Sequence, residues 1–498
     1  MEKPHGLPVS DADWQATPPA VQAQVVWLLQ AVQQSTGQVQ ELTAQVLQLQ
    51  QQVAQLQPPR GGGGGGGSRG TAGPEGDTGR SRPRKRSRRR SSGKKPGAQP
   101  GHEGHGRSLL PVEQVDALEP IRPSSCGHCG HALAGDDPHP QRHQVVDIPP
   151  VRAHVTEYQL HTLRCPHCQL LTEAAWPEAV PRSAFGPRVQ AWVSLLSGAY
   201  RLSKRNIVRL LADAFNVNMA VGSVSQLEQH VSAAVAAPVQ EACAYVQQQA
   251  AVNIDETSWR EARDKAWLWT VVSDQVTVFA IRLDHDREVA RALLGADTSA
   301  VVGSDRHSIY GYLPVLQRQA CWAHLERAFE TFVDRGGEAA KVGETLLECT
   351  HQMFSWWHRV RDGTLQRSSF QVYISDLRLR VRFQLWYGQE FADDQTAATC
   401  TNLLAIEPAL WTFVRKEGVE PTNNTAERAL RHGVLWRHTS FGTHSPAGSR
   451  FVERMLTVRD TLRQQQRNVL NYLANACHAA LRRQTPPSLL PTAAAANA

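Results

Sequence analysis

Three carboxylates stand in settings suited to metal chemistry: Asp255 in AVNIDET, Asp305 in AVVGSDRHSIYGYL and Glu427 in PTNNTAERALR. A pair of Mg²⁺ (or Mn²⁺) ions held roughly 3.5–4 Å apart needs hard anionic oxygens, which Asp or Glu side chains on rigid elements can supply. The apolar run 251–254 reads as a short buried strand closed by Asp255, and 300–303 as another just ahead of Asp305. Both acids are therefore expected at strand ends. Asn423, Asn424 and Thr425 are good N-cap residues, and 426–435 reads as a helix carrying Glu427. Glu256 is the rival ligand on the first strand, but alternation turns it away from the face of Asp255. Asp284, Asp286 and Glu326 are read as solvated or ion-paired.

The elements that must position these acids follow in order. Residues 266–273 and 276–282 read as a strand pair turning at Asp274 and Gln275. A helix over 286–294 leads to the strand before Asp305; 309–316 looks helical, 318–322 extended and 323–332 helical again. The order β-β-β-α-β-α-β-α predicts an α/β sheet flanked by helices. Residues 333–420 read as mainly helical and as an insertion ahead of Glu427.

On these residues the chain resembles the IS66 family of DDE transposases, whose catalytic domain is ribonuclease H-like. The likeness covers nearly the whole chain. Asp255-Glu256-Thr257 matches the motif of the first acid, and Asp305 with Tyr310 and Tyr312 that of the second. Cys321-Trp-Ala-His324 matches a further segment, and Asn423 to Arg431 (NNTAERALR) the most specific motif, whose Glu is the third acid. Where the family often has Gly-Tyr after the second Asp, this chain has Arg306 and His307; the acid itself is kept. The resemblance implies that Asp255, Asp305 and Glu427 form a catalytic metal-binding set. It implies a ribonuclease H-like mixed sheet with a helical insertion, acting on DNA by cleavage and strand transfer. Cys321 and His324 are only half a metal site, and are read as packing at a strand–helix junction.

Composition locates the DNA contacts. At 498 residues the chain is too long for one core. Its net charge is +7, yet Arg80 to Lys95 holds ten Arg and Lys and no acid, so +7 less ten leaves the remainder near −3. The basic character is a local device suited to phosphates, with Arg84, Lys85, Arg86, Arg88, Arg89 and Arg90 at its centre. Upstream, Val25, Leu28, Val32, Val39, Leu42, Val46, Leu49, Val53 and Leu56 keep a heptad frame broken at Ser35. That pattern fits a weak parallel coiled coil or a single amphipathic helix packed on the protein's own body; the resemblance implies at least a dimer, since a recombinase must hold two DNA ends. Seven glycines, Gly61 to Gly67, open a linker that runs to about Ser108 and includes His102 and His105, left unassigned.

Cys126-Gly-His-Cys129 and Cys165-Pro-His-Cys168 are separated by thirty-five residues. Four thiolates match a closed structural Zn²⁺ site, with His128, His131 and His167 as competing ligands. The spacer exceeds the usual ribbon length, but 144–148 and 154–163 read as strands that a hairpin there would use. Next, Ser203 caps a helix to Ala214, 215–217 turns, and a second helix starts at Val221: an ordinary helical pair or a helix-turn-helix, which the resemblance favours because the family has DNA-binding segments upstream of its catalytic domain. Ser223, Ser225 and Gln226 would face base edges, and Arg201, Lys204 and Arg205 phosphates. Arg428, Arg431, Arg437 and His438, on or just after the Glu427 helix, are placed for a phosphate backbone.

The expected organisation is coiled coil 1–57, linker 58–108, zinc domain 109–180, helix-turn-helix 181–240, catalytic domain 241–485 with its insertion at about 333–420, and a disordered tail 486–498. No apolar stretch reaches the roughly 18 residues of a membrane span and no signal-peptide pattern is present, so a cytoplasmic protein is expected; the resemblance implies a bacterial one, nucleoid-associated when bound to DNA. The mechanism the resemblance implies, phosphoryl transfer without a protein nucleophile or ATP, accounts for the lack of a phosphate-cradling G-x-x-x-x-G-K-[ST] loop and of a recombinase Tyr or Ser motif. A metal-dependent nuclease or resolvase, and a transposase-derived regulator that has lost catalysis, remain as alternatives. Accessory proteins of the same element are further expected partners.

Overall fold

The computed structural model describes residues 11–16, 18–19, 22, 26, 108–177, 180 and 182–491. The heptad positions, the glycine and basic linker with Arg84 to Arg90, and His102 and His105 lie outside the described residues. The chain divides into two units, 1–131 and 132–498. In the first, α1 (Asp11–Ala16) is followed much later by a tight turn at the first cysteine pair. There the Cys126 N–H donates to His131 O at 2.8 Å and the Gly130 N–H to Cys126 O at 3.0 Å.

In the second unit, β1 (Thr162–Arg164) and β2 (Leu171–Glu173) form an antiparallel hairpin around the second cysteine pair. The strands expected over 144–148 and 154–161 do not form, and Val145, Val146, Ile148 and Val155 stay exposed. β-branched residues favour a strand only where a partner completes the ladder, and Pro149 and Pro150 interrupt this stretch. The cysteine turn supplies a partner only for 162–164.

Four helices follow: α2 (Pro187–Gly198), α3 (Lys204–Phe215), α4 (Val221–Ala234) and α5 (Ala236–Gln247). Ser203 caps α3 by accepting from the Asn206 N–H, and Asn216 ends it in the left-handed conformation (φ 54°), so the expected helix–turn–helix forms. Its small core joins Val193, Leu196, Ile207, Leu211, Val224 and Leu227. The pair is not free-standing: Ala191, Leu195, Val231 and Val235 enter the core of the sheet domain.

The sheet has five strands, β3 (Ala251–Glu261), β4 (Asp264–Val272), β5 (Thr277–Arg282), β6 (Val301–Ser304) and β7 (Arg318–Ala320), in the order β5-β4-β3-β6-β7. β3, β4 and β5 run antiparallel in turn, while β6 and β7 lie parallel to β3. This mixed sheet, flanked by helices, is the expected ribonuclease H-like arrangement. α6 (Arg287–Leu294) links β5 to β6 and is capped by Asp286, which accepts from the Glu288 and Val289 N–H groups. The expected helix over 309–316 is instead two short 3₁₀ turns, Ser308–Tyr310 and Val315–Gln317, because Gly311 and Pro314 interrupt the run.

Between β7 and Glu427 lie α7 (Trp322–Arg335), α8 (Gly337–Arg361), α9 (Arg367–Phe391), α10 (Asp394–Ala405), α11 (Glu407–Leu410) and α12 (Thr412–Arg415). From α8 onward they form the expected helical insertion. It shares its own core with α7, including Phe329, Leu346, Met353, Phe370 and Phe413.

α13 (Asn424–Ser440), α14 (Pro446–Gln464) and α15 (Val469–Leu481) complete the domain. α14 closes the exposed edge of the sheet. The β5 N–H groups of Thr277, Phe279 and Ile281 donate to side-chain oxygens of Thr461, Thr457 and Glu453 at 3.1, 2.9 and 2.8 Å. Four helical residues rise about 6 Å and two strand residues about 6.8 Å, so a polar stripe at i, i+4, i+8 can meet alternate N–H groups of an edge strand. The expected tail from 486 is partly wrong. Tyr472 donates to Pro487 O at 2.7 Å, Arg467 to Ser488 O at 2.9 Å, and Leu489 is fully buried. The apolar Leu489 side chain draws this segment onto the core.

Candidate active site

β3 carries the first acid, and its register sets where that acid lies. Asn253 pairs with Gly303 of β6, after which β6 ends at Ser304 while β3 runs on to Glu261 paired with β4. Asp255 is therefore in mid-strand, not at the strand end as expected. It nonetheless lies level with Asp305, two residues beyond the same pair. A Cβ at Gly303 would stand 2.1 Å from Asn253 Oδ1, so a side chain there would displace the amide that bonds Thr425.

α13 brings the third acid. Cys321 donates its N–H to Ser304 O at 2.9 Å, Trp322 to Pro421 O at 3.0 Å, and Asn423 to Cys321 Sγ at 3.3 Å, joining the ends of β6 and β7 to the start of α13. Asn253 Nδ2 donates to Thr425 Oγ1 at 2.9 Å, which ties β3 to the same turn. Glu427 sits in the first turn, where the helix dipole favours a negative group. Asn423 occupies the N-cap position, but its buried side chain makes no capping bond. Gly433 lets α13 approach β4, since a Cβ there would meet Leu268 Cδ2 at 2.1 Å.

Electrostatics mark the convergence. Burial is the main cause that pushes the Asp255 carboxyl up to about 8; Glu256, Asp305 and Glu427 add to it, and a 3.0 Å bond from the Glu256 N–H opposes it. Asp305 accepts from the His307 N–H at 2.8 Å. Glu427 Oε1 has two basic neighbours, His324 Nδ1 at 3.4 Å and Arg327 Nη2 at 3.5 Å. Burial, then Arg327, lower the His324 pKa, while Glu427 raises it. Asp255 feels the charge of both other acids, and a divalent cation would offset the negative charge that this half-buried carboxyl otherwise resists.

His324, weighed with Cys321 as half a metal site and read as packing, instead reaches Glu427, and ligand atoms of Cys321, His324 and Glu427 lie within 4.8 Å of one another. Arg327, one helical turn beyond His324 on α7, was not singled out as a site residue. Glu256 turns away from Asp255 as alternation requires: Tyr310 donates its hydroxyl to one oxygen, and His285 Nε2 lies 3.0 Å from the other. Glu326 pairs with His351 at 3.4 Å.

Among the expected DNA contacts, Arg205, Gln226, Arg428, Arg431 and His438 are exposed and Ser223 half-buried. Four others, Lys204, Ser225, Arg201 and Arg437, are engaged within the protein. Lys204 bonds Ser225 Oγ at 2.6 Å and Glu228 at 2.9 Å; Arg201 meets His432 Nδ1 at 3.2 Å; Arg437 donates to Thr257 Oγ1 at 3.2 Å and to Ser258 of β3.

At the cysteine pairs the thiol pKa values of Cys126 and Cys165 are lowered, mainly by backbone N–H donors from Cys129 and Cys168 respectively. All nine cysteines are free. Residues 182–450, just over half of the chain, match the family described as Transposase IS66 family.

The chain belongs to the IS66 family of transposases. Residues 123–169 also match the zinc-finger binding domain of transposase IS66, a span that contains all four knuckle cysteines. The IS66 chain is thus a transposase of an insertion sequence with a zinc-finger region, and DNA is its partner. No curated protein matches it. Among the described residues no helix is long and apolar enough to cross a membrane.

Proposed function

We propose that this IS66 transposase cuts and joins DNA at a two-metal site held by Asp255, Asp305 and Glu427, with Mg²⁺ or Mn²⁺ as the resident ions. The observation that carries the reading is Asp255: a half-buried carboxyl facing two other acids, with its pKa pushed up to about 8. Such clustering of negative charge is costly unless cations compensate it. When bound, the ion pair would polarise the attacked phosphate and stabilise the leaving oxygen.

The chain's own residues do the positioning. The paired strands set Asp255 and Asp305 level, and the α13 cap turn brings Glu427 over them. His324 and Arg327 orient the Glu427 carboxylate, and Arg428 and Arg431 on the same helix are offered to the DNA backbone. Arg205, Ser223 and Gln226 of the helix–turn–helix are proposed to read transposon ends, and the basic linker to add salt-dependent affinity. Cys126, Cys129, Cys165 and Cys168 are proposed as the ligands of a structural Zn²⁺. The heptad pattern supports a homo-oligomer of at least two chains, fitting an enzyme that must hold two DNA ends.

The test is incubation of purified protein and Mg²⁺ with DNA bearing the element's own terminal repeats. Cut ends joined to target DNA are expected. Cut ends that never join would instead identify a nuclease or resolvase. Binding without cutting would identify a regulator, a reading the presence of all three acids disfavours.

A further inference from the structure

We propose that Glu256, His285 and His307 form a binding site for a borderline divalent cation of the Zn²⁺ class, separate from the carboxylate site and from the cysteine pairs. The three residues come from three elements: β3, the segment between β5 and α6, and the loop that follows Asp305. One ligand atom from each lies within 4.8 Å of the other two. Two imidazoles and one carboxylate are the donor set of many His₂Glu zinc centres, whereas Mg²⁺ prefers oxygen alone. This donor chemistry distinguishes the cluster from the acids beside it.

The side chains are already oriented for such a role. His285 stacks on Trp267 with ring centroids 3.8 Å apart and planes 15° apart, and its Nε2 stands 3.0 Å from Glu256 Oε1. The Tyr310 hydroxyl donates to the other Glu256 oxygen, supplying the outer bond that fixes a ligating carboxylate. His307 is exposed, so an ion can enter and keep water on its open side. Binding needs one lone pair from each ring, with the ring proton on the other nitrogen. At His307 the bond given up is the long one, 3.3 Å, that Nδ1 accepts from the Ile309 N–H.

The consequence reaches the catalytic acids through the backbone. The His307 N–H also holds Asp305 Oδ1 at 2.8 Å. An ion gripping His307, His285 and Glu256 would pin the Asp305 loop to the strand that carries Asp255. The site rests on neither the assignment of the three acids nor that of the cysteines.

The test is Co²⁺ titration of the metal-stripped full-length protein in excess Mg²⁺, followed by absorption. Thiolate sites give an intense near-ultraviolet charge-transfer band, and His/carboxylate sites give only visible d–d bands. His307→Ala and His285→Ala are each expected to bind one Co²⁺ fewer per chain than the wild type, with far-ultraviolet circular dichroism and melting temperature unchanged as proof of an intact fold. His307 is exposed, so its truncation leaves the core untouched. Equal uptake by the wild type and the His307→Ala protein overturns the proposal.

Discussion

Replacing Asp255 with Asn should stabilise the metal-free protein, and do so more at high pH. The folded carboxyl titrates near 8 against an ordinary 3.8, with burial as the main cause. Between these values the folded state keeps a proton that the unfolded chain has released, so wild-type stability falls as pH rises through the window and levels off above about 8. The whole shift of about four units corresponds to roughly 5 kcal/mol, of which about 3 falls between about pH 5.5 and 8. Relaxation and water entry reduce what is realised, so about 1–2 kcal/mol, or several degrees of melting temperature, is expected to separate the proteins further at about pH 8.5 than at about pH 5.5. Asn keeps the oxygen that accepts from the Glu256 N–H, so that bond survives the change. Melting curves of as-purified protein in Mg²⁺-free buffer at the two pH values measure this, and added Mg²⁺ should raise the wild type alone. A difference independent of pH, or a variant less stable than wild type at the higher pH, would refute the reasoning.

Other expected outcomes follow from particular contacts. Changing Cys126 and Cys165 to Ser should release zinc from the purified protein, measured by elemental analysis; unchanged zinc removes those ligands. Thr457→Val leaves the Phe279 N–H without its acceptor at a buried sheet edge and should cost about 1–3 kcal/mol in denaturant unfolding. Lys204→Ala should lower stability more than DNA affinity, because its ammonium bonds Ser225 and the buried Glu228. Filter binding beside a melting curve separates the two effects, and a large loss of affinity with unchanged melting would return Lys204 to the DNA.

Much of the catalytic core could be read in advance, since its signals are local. The turn at Asp274 and Gln275, the helix ending at Leu294, the apolar run before Asp305 and the start of α13 at Asn424 each rest on a few neighbouring residues. What escaped reading depends on partners distant in sequence. Asp255 looked like a strand end because the apolar run stops at Ile254, yet β4 carries β3 seven residues further. The expected strands near 144–148 had suitable residues and no partner. Glu453, Thr457 and Thr461 read as ordinary helix polarity until β5 is seen beside them, and Leu489 as part of a tail until its burial is seen. His324 lay in a motif already noticed and Arg327 one turn beyond it, but their neighbour Glu427 is about a hundred residues away.

The central claim is that Asp255, Asp305 and Glu427 act as one metal-binding set for DNA cutting and joining. Its most direct measurement is strand transfer by the Glu427→Gln protein, in Mg²⁺ or Mn²⁺, with DNA ends supplied already cut and with binding measured alongside. The carboxamide keeps the size of the side chain and removes the charge, so DNA binding should persist while cutting and joining both disappear. Joined product at the wild-type rate would contradict the account.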